Sequence, residues 1–176
     1  MTLEHKFCTS PGSVTVSDGA VISGYASLFG KSDQGGDIVT SGAYRISLSQ
    51  GRRIKMLWQH DPTQPIGVWD EVIEDQKGLW VKGRLLTDVA KAREAASLIA
   101  AGAIDGLSIG YRTIKARKDD TGARHLTELD LWEVSLVTFP MLADARVAAK
   151  ADQTGADDLR QLTAAFAAAR RLLQPR

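Results

Sequence analysis

Short apolar runs alternate with turn chemistry along this chain, and that alternation constrains the fold more than any other feature of the sequence. Val14-Thr15-Val16, the turn signal Ser17-Asp18-Gly19 and the run from Ala20 to Ala26 read as a β-hairpin, followed by a loop from Gly30 to Gly36. A strand is expected over residues 55–59, and a strand pair over residues 66–73 and 79–86 around the connection Glu74-Asp75-Gln76-Lys77-Gly78. Strands over residues 107–117 and 125–138, separated by Asp119-Asp120-Thr121-Gly122, complete a mainly antiparallel set. Helical signals are fewer. Ser41 is a candidate cap for a short helix over residues 42–50. Thr87-Asp88 begins a second helix, whose Val89, Ala92, Ala96 and Ile99 share one face and which Gly102 is placed to end. The expected fold class is therefore mainly β: a small closed antiparallel β-barrel with peripheral helices, because closure leaves no exposed strand edges.

At 176 residues the chain fits one domain with room for a substantial core. Residues 1–13 read as a flexible N-terminal arm, 14–147 as the β-barrel domain, and 148–176 as a linker followed by an amphipathic C-terminal helix. In that last helix, starting at Asp157 or Asp158, the residues Leu159, Leu162, Phe166, Ala169 and Leu172 or Leu173 form a narrow apolar stripe. It either packs on its own barrel or serves as a partner-binding or dimer helix, the latter making the chain a homo-oligomer. A formal net charge of +1 gives no electrostatic reason to expect nucleic acid or an anionic membrane as a partner. The single cysteine, Cys8, excludes an internal disulfide. Met1-Thr2-Leu3-Glu4-His5-Lys6 leads into no apolar signal core, and no apolar run reaches the length of a membrane span, so an intracellular site is expected. No phosphate-cradling glycine loop and no metal-ligand spacing appear, and neither a cofactor nor a metal is expected.

One motif points to chemistry. Gly106-Leu107-Ser108-Ile109-Gly110-Tyr111 places a hydroxyl between glycines inside a β-type run. A serine nucleophile needs a base. Of the three histidines, His5 lies in the N-terminal arm and His125 follows the Asp119–Gly122 turn, whereas His60 ends the apolar run Ile54-Lys55-Met56-Leu57-Trp58-Gln59 and is the best placed. Glu133 sits among apolar neighbours in Leu131-Trp132-Glu133-Val134-Ser135-Leu136-Val137, where a carboxylate can orient an imidazole. Each residue also has an ordinary reading. Ser108 is then a small polar strand residue between glycines that mark a bulge, His60 before Asp61-Pro62 closes a strand, and Glu133 pairs with an arginine such as Arg112.

Three segments together carry a resemblance: Leu57-Trp58-Gln59-His60-Asp61 with Pro65-Ile66-Gly67, then Asp105 to Tyr111, then Leu131 to Pro140. In order and spacing they resemble the prohead, or capsid-maturation, proteases of tailed phages, and Gly24-Tyr25-Ala26-Ser27-Leu28-Phe29, Gly36-Asp37-Ile38-Val39 and Gly42-Ala43-Tyr44 extend the match towards the N-terminus. The resemblance implies a serine endopeptidase related in fold to the herpesvirus assemblins. It implies a major capsid protein or its scaffold segment as substrate, the enzyme itself as a further target, and a place inside the assembling prohead in the host cytoplasm. It also implies Ser108 as nucleophile, His60 as base and Glu133 as third member. The third member is a histidine in the herpesvirus enzymes, which keeps His125 as the alternative. Oxyanion donors are left open between backbone amides around Pro140 and the side chains of Arg112 and Arg146. The competing class is a non-catalytic β-barrel that binds capsid or scaffold protein, with Ser108 and Glu133 as ordinary interior residues.

Overall fold

Nine strands and two short helices account for the regular structure in a computed structural model that describes residues 4–8, 15–17, 21–33 and 35–139. In chain order they are β1 (Glu4–Cys8), β2 (Thr15–Ser17), β3 (Val21–Leu28), β4 (Asp37–Val39), α1 (Arg45–Ser49), β5 (Lys55–Trp58), β6 (Asp61–Glu74), β7 (Gly78–Leu85), α2 (Ala90–Ala100), β8 (Gly106–Lys118) and β9 (Arg124–Val137). The strands form one sheet in the order β1-β8-β9-β5-β6-β7-β3-β2, with β4 attached to β9. The C-terminal helix and linker expected over residues 148–176 lie outside the described residues.

The fold is mainly β, as the turn-punctuated sequence implies. The sheet curls until β3 approaches β1 and β8, although among the described residues no ladder joins β1 to β2. Within residues 1–13, read from sequence as an arm, Glu4–Cys8 pairs antiparallel with β8. Two pairings are parallel, β5 with β9 and β4 with β9. They follow from the length of β9. One of its edges is taken by β8, and the other is shared between β4 over Arg124–Leu126 and β5 over Glu133–Leu136.

Alternation along the central strands builds the core. Leu107, Ile109 and Tyr111 of β8 and Val134 and Leu136 of β9 pack with Met56, Ile66, Leu79 and Val81, each burial contributing about 1.5–3 kcal/mol. The helices cover this core from outside. On α2 the buried residues are Ala92, Ala95 and Ile99, while Val89 and Ala96 are only partly buried, so the apolar face is turned slightly from the expected stripe. The helix begins at Ala90 behind an extended Val89, later than Thr87-Asp88 suggests. It ends as expected: Gly102 adopts φ 70°, its N–H reaches Ile99 O at 2.9 Å and the Ala103 N–H reaches Leu98 O at 2.8 Å, which is a Schellman stop.

Ser41 does not cap α1, which starts at Arg45 with no side-chain cap from its own segment. The amides just before it turn instead to β6, where Glu74 accepts from Gly42 N–H at 2.6 Å and Tyr44 N–H at 2.9 Å. A carboxylate beside a helix start satisfies donors that the helix cannot. At the other side of α1, buried Ser47 accepts the Leu131 N–H at 2.9 Å and pins the helix to β9.

Candidate active site

The strand order sets β8, β9 and β5 side by side, and each supplies part of one cluster. Ser108 stands opposite Ser135 and Gly110 opposite Glu133 in the antiparallel β8–β9 register. On the far edge of β9, Lys55 pairs with Glu133 and Leu57 with Ser135, so the end of β5 delivers residues 59 and 60 beside the same patch. Because neighbours along a strand face opposite ways, the apolar alternates Leu107, Ile109, Val134 and Leu136 enter the core while Ser108, Glu133 and Ser135 share the other face. That face is nonetheless covered: Ser108 and Ser135 have 0% and Glu133 4% exposure.

His60 reaches the patch through an unusual turn. Trp58 pairs with Asp61, leaving Gln59 and His60 as the two central residues of the β5–β6 connection, with φ of 52° and 61°. Two consecutive positive φ values are the hairpin pattern normally filled by Asn-Gly, and a non-glycine residue in this region costs on the order of 1–3 kcal/mol. The surroundings hold it. Gln59 N–H donates to Leu136 O at 2.9 Å, its side-chain Nε2 donates to Thr138 Oγ1 at 2.6 Å, and His60 N–H donates to Ser135 Oγ at 3.2 Å. Beyond the turn, Asp61 accepts from the Thr63 N–H and hydroxyl and from Gln64, and the Thr63 hydroxyl is the main reason its carboxyl lies below the usual range.

The imidazole bridges the two polar partners. Nε2 lies 2.6 Å from Ser108 Oγ and Nδ1 lies 2.5 Å from Glu133 Oε1. With a carboxylate on Nδ1, the neutral ring carries its proton there and leaves the Nε2 lone pair facing the serine hydroxyl. The second carboxyl oxygen, Oε2, accepts from the Ser135 hydroxyl at 2.5 Å. Gly110 makes room for this arrangement, since a Cβ at that position would run into the Glu133 carboxyl. The register also shifts between Gly110 and Tyr111, so this glycine sits at a bulge as well.

The structure thus brings together Ser108, His60 and Glu133. His125 is elsewhere: its Nε2 meets Asp119 Oδ2 at 2.8 Å beside the β8–β9 turn. It lies ten residues before Ser135 on β9, about 30 Å along the strand. Arg112 pairs with Asp130 at 2.8 Å. Burial alone would raise the Asp130 pKa, but hydrogen bonds from Arg112 and Arg52 outweigh it and hold the carboxyl below the usual range. Arg146 and Pro140 lie outside the described residues. The sequence reading missed Ser135, Gln59 and Thr138. The one available signal was the spacing of Glu133 and Ser135, two polar residues two apart on a strand whose alternates are apolar. Among the described residues no group of three or more His, Cys, Asp or Glu side chains is arranged to hold a metal ion.

Comparison with known proteins gives this geometry a context. The model of the caudovirus prohead serine protease family matches residues 11–158. The chain belongs to this family. The prohead protease of Enterobacteria phage HK97 is 33% identical over 149 residues, which cover 81% of this chain and 65% of that protein, so the chain spans slightly less than two thirds of this relative's length. The solved structure of the bacteriophage T4 capsid assembly protease superposes with a TM-score of 0.64 at 14% identity, covering 79% of this chain and 98% of the other. The two chains therefore share a fold over that span. A varicella-zoster virus protease structure aligns with a TM-score of 0.44 at 16% identity over 72% of this chain and 62% of its own.

Proposed function

We propose that the chain is a serine endopeptidase of capsid maturation, with Ser108 as nucleophile, His60 as general base and acid, and Glu133 as the group that orients His60. The observation that carries this reading is the single imidazole within hydrogen-bond distance of both a buried hydroxyl and a buried carboxyl. As Ser108 Oγ attacks a peptide carbonyl, His60 Nε2 takes its proton and then returns it to the departing amine, leaving an acyl-serine that water releases. Glu133 stabilises the imidazolium that forms in between. Membership of the prohead protease family supports a segment of capsid or scaffold protein as the substrate and the interior of the assembling prohead as the place of action. Trimming of the chain's own C-terminal region is part of the same proposal, as is assembly through the apolar stripe from Leu159 to Leu173.

The test is covalent labelling of the full chain by a fluorophosphonate probe, with the modified peptide mapped. Label should fall on Ser108 and be lost in Ser108→Ala, which removes one hydroxyl and should leave thermal stability nearly unchanged. His60→Ala should reduce the labelling rate by about 10³-fold or more, given what the base and orienter contribute in triads. Label on another residue, or an undiminished rate in His60→Ala, would overturn the assignment. A non-catalytic capsid-binding module would leave the wild-type protein unlabelled.

A further inference from the structure

A second serine stands directly across from Ser108 in the β8–β9 register. Ser135 has no exposed surface, and its hydroxyl is used twice. The O–H donates to Glu133 Oε2 at 2.5 Å, and the same oxygen accepts the backbone N–H of His60 at 3.2 Å. Glu133 Oε1 meets the His60 ring at 2.5 Å, so the contacts close a ring through Ser135, the carboxyl, the imidazole and the His60 backbone. We infer that Ser135 is a positioning residue for the His60–Glu133 pair, a role that rests on the peptidase reading above.

The contacts give it two tasks. The hydroxyl fixes the rotation of the carboxyl, so that Oε1 faces Nδ1 while Oε2 is already satisfied; a hydrogen bond to a charged oxygen is roughly twice as strong as a neutral one. The lone pair holds the amide of a residue at φ 61°, a conformation that a histidine adopts only when its surroundings enforce it. Packing alone would ask for a small residue and nothing more. Ser135 does not compete with Ser108 as the nucleophile, because the imidazole nitrogen that accepts a proton faces Ser108.

The experiment compares full-length wild type, Ser135→Ala, Ser135→Cys, Glu133→Gln and the double variant Ser135→Ala/Glu133→Gln. It measures fluorophosphonate inactivation, resolved into the maximal rate and the probe concentration for half that rate, and the proton resonance of the His60 ring N–H in histidine-labelled protein. A displacement on the order of 1 Å near a reacting group costs about 10²-fold, so Ser135→Ala should lower the maximal rate by about 10- to 100-fold and leave the half-saturating concentration unchanged. Ser135→Cys keeps a small side chain of the same shape, slightly larger, with a poor donor; it should be equally slow, and it carries the test if the alanine variant does not fold. In the Glu133→Gln background Ser135→Ala should cost less than it does in the wild type, because only its hold on the His60 amide is then left to lose. The His60 N–H resonance should be downfield and sharp in wild type, and shifted or lost in Ser135→Ala.

A wild-type rate in Ser135→Ala or Ser135→Cys would overturn the proposal, as would effects of Ser135→Ala and Glu133→Gln that simply multiply. Two failures are told apart by the resonance. An unlabelled wild-type protein overturns the peptidase reading, whereas an unmoved resonance in Ser135→Ala overturns the role of Ser135 whichever way the labelling falls.

Discussion

A Cβ on Gly110 would fall 2.7 Å from Glu133 Cδ and 2.8 Å from its Cγ, so the carboxyl fills space that any other residue would claim. Gly110→Ala should therefore push Glu133 off His60. The predicted result is a fluorophosphonate labelling rate at least tenfold lower, with a loss of stability of about 1–3 kcal/mol, the usual range for overpacking; labelling and thermal melting measured on one preparation check both. A wild-type rate would mean that the carboxyl need not stay where it is. At this scale the sequence is readable wherever a residue is out of character with its neighbours. Ser108 between glycines, His60 at the end of an apolar run and Glu133 inside another are conspicuous, and the structure brings the three together. Ser135 is far less conspicuous, because serine is unremarkable in a strand: its spacing from Glu133 is the one hint, and the register with Ser108 gives it a place.

Elements were legible to the extent that their signals are local. The β6–β7 and β8–β9 turns and the stop at Gly102 depend on turn residues, with φ > 0 glycines at Gly102 and Gly122, and they fall where those residues stand. The β5–β6 turn has no such residue: Gln59-His60 takes up the positive φ pair because Ser135, Leu136 and Thr138 of another segment hold it, which no local rule reveals. The start of α1 is set in the same way from a distance, by Glu74. A further non-local tie carries a pH signature. Tyr25 on β3 donates its hydroxyl to Asp75 in the β6–β7 turn, and that hydrogen bond, with burial and the carboxylate charge adding to it, pushes the phenol up to about 12 from its ordinary 10.0. A folded-state pKa above the unfolded value means the contribution is complete below pH 10 and is lost as pH rises through the folded value. The melting temperature of the wild type should therefore fall between pH 10 and 12 more steeply than that of Tyr25→Phe, and the two should be parallel between pH 7 and 9. Equal slopes above pH 10 would sever the tie.

Over the whole molecule, composition and turn spacing lead to a mainly β domain, but strand order is a matter of which distant segments meet. The parallel contacts of β4 and β5 with β9 join segments more than seventy residues apart, and alternation, which reads the same in either direction, does not report them. The β5 contact also brings His60 to the candidate site, which is itself buried. Ser108 has no exposed surface, and the side chains of His60 and Glu133 retain 12% and 5% exposure. A peptide carbonyl or a phosphonate must touch Ser108 Oγ, so labelling proceeds through a state in which the cover has opened. Local opening costs less free energy than global unfolding, and urea favours each state in proportion to the surface it exposes. An opening that exposes a fifth of the surface released by unfolding would carry about 0.4 kcal/mol per molar urea, taking a typical full value of about 2, and so raise the labelling rate about fourfold at 2 M. The rate should accordingly climb with urea while circular dichroism still reports the folded sheet, then collapse at the unfolding midpoint as His60 and Glu133 separate from Ser108. A rate that only falls from zero urea onwards would show that Ser108 is reached without opening.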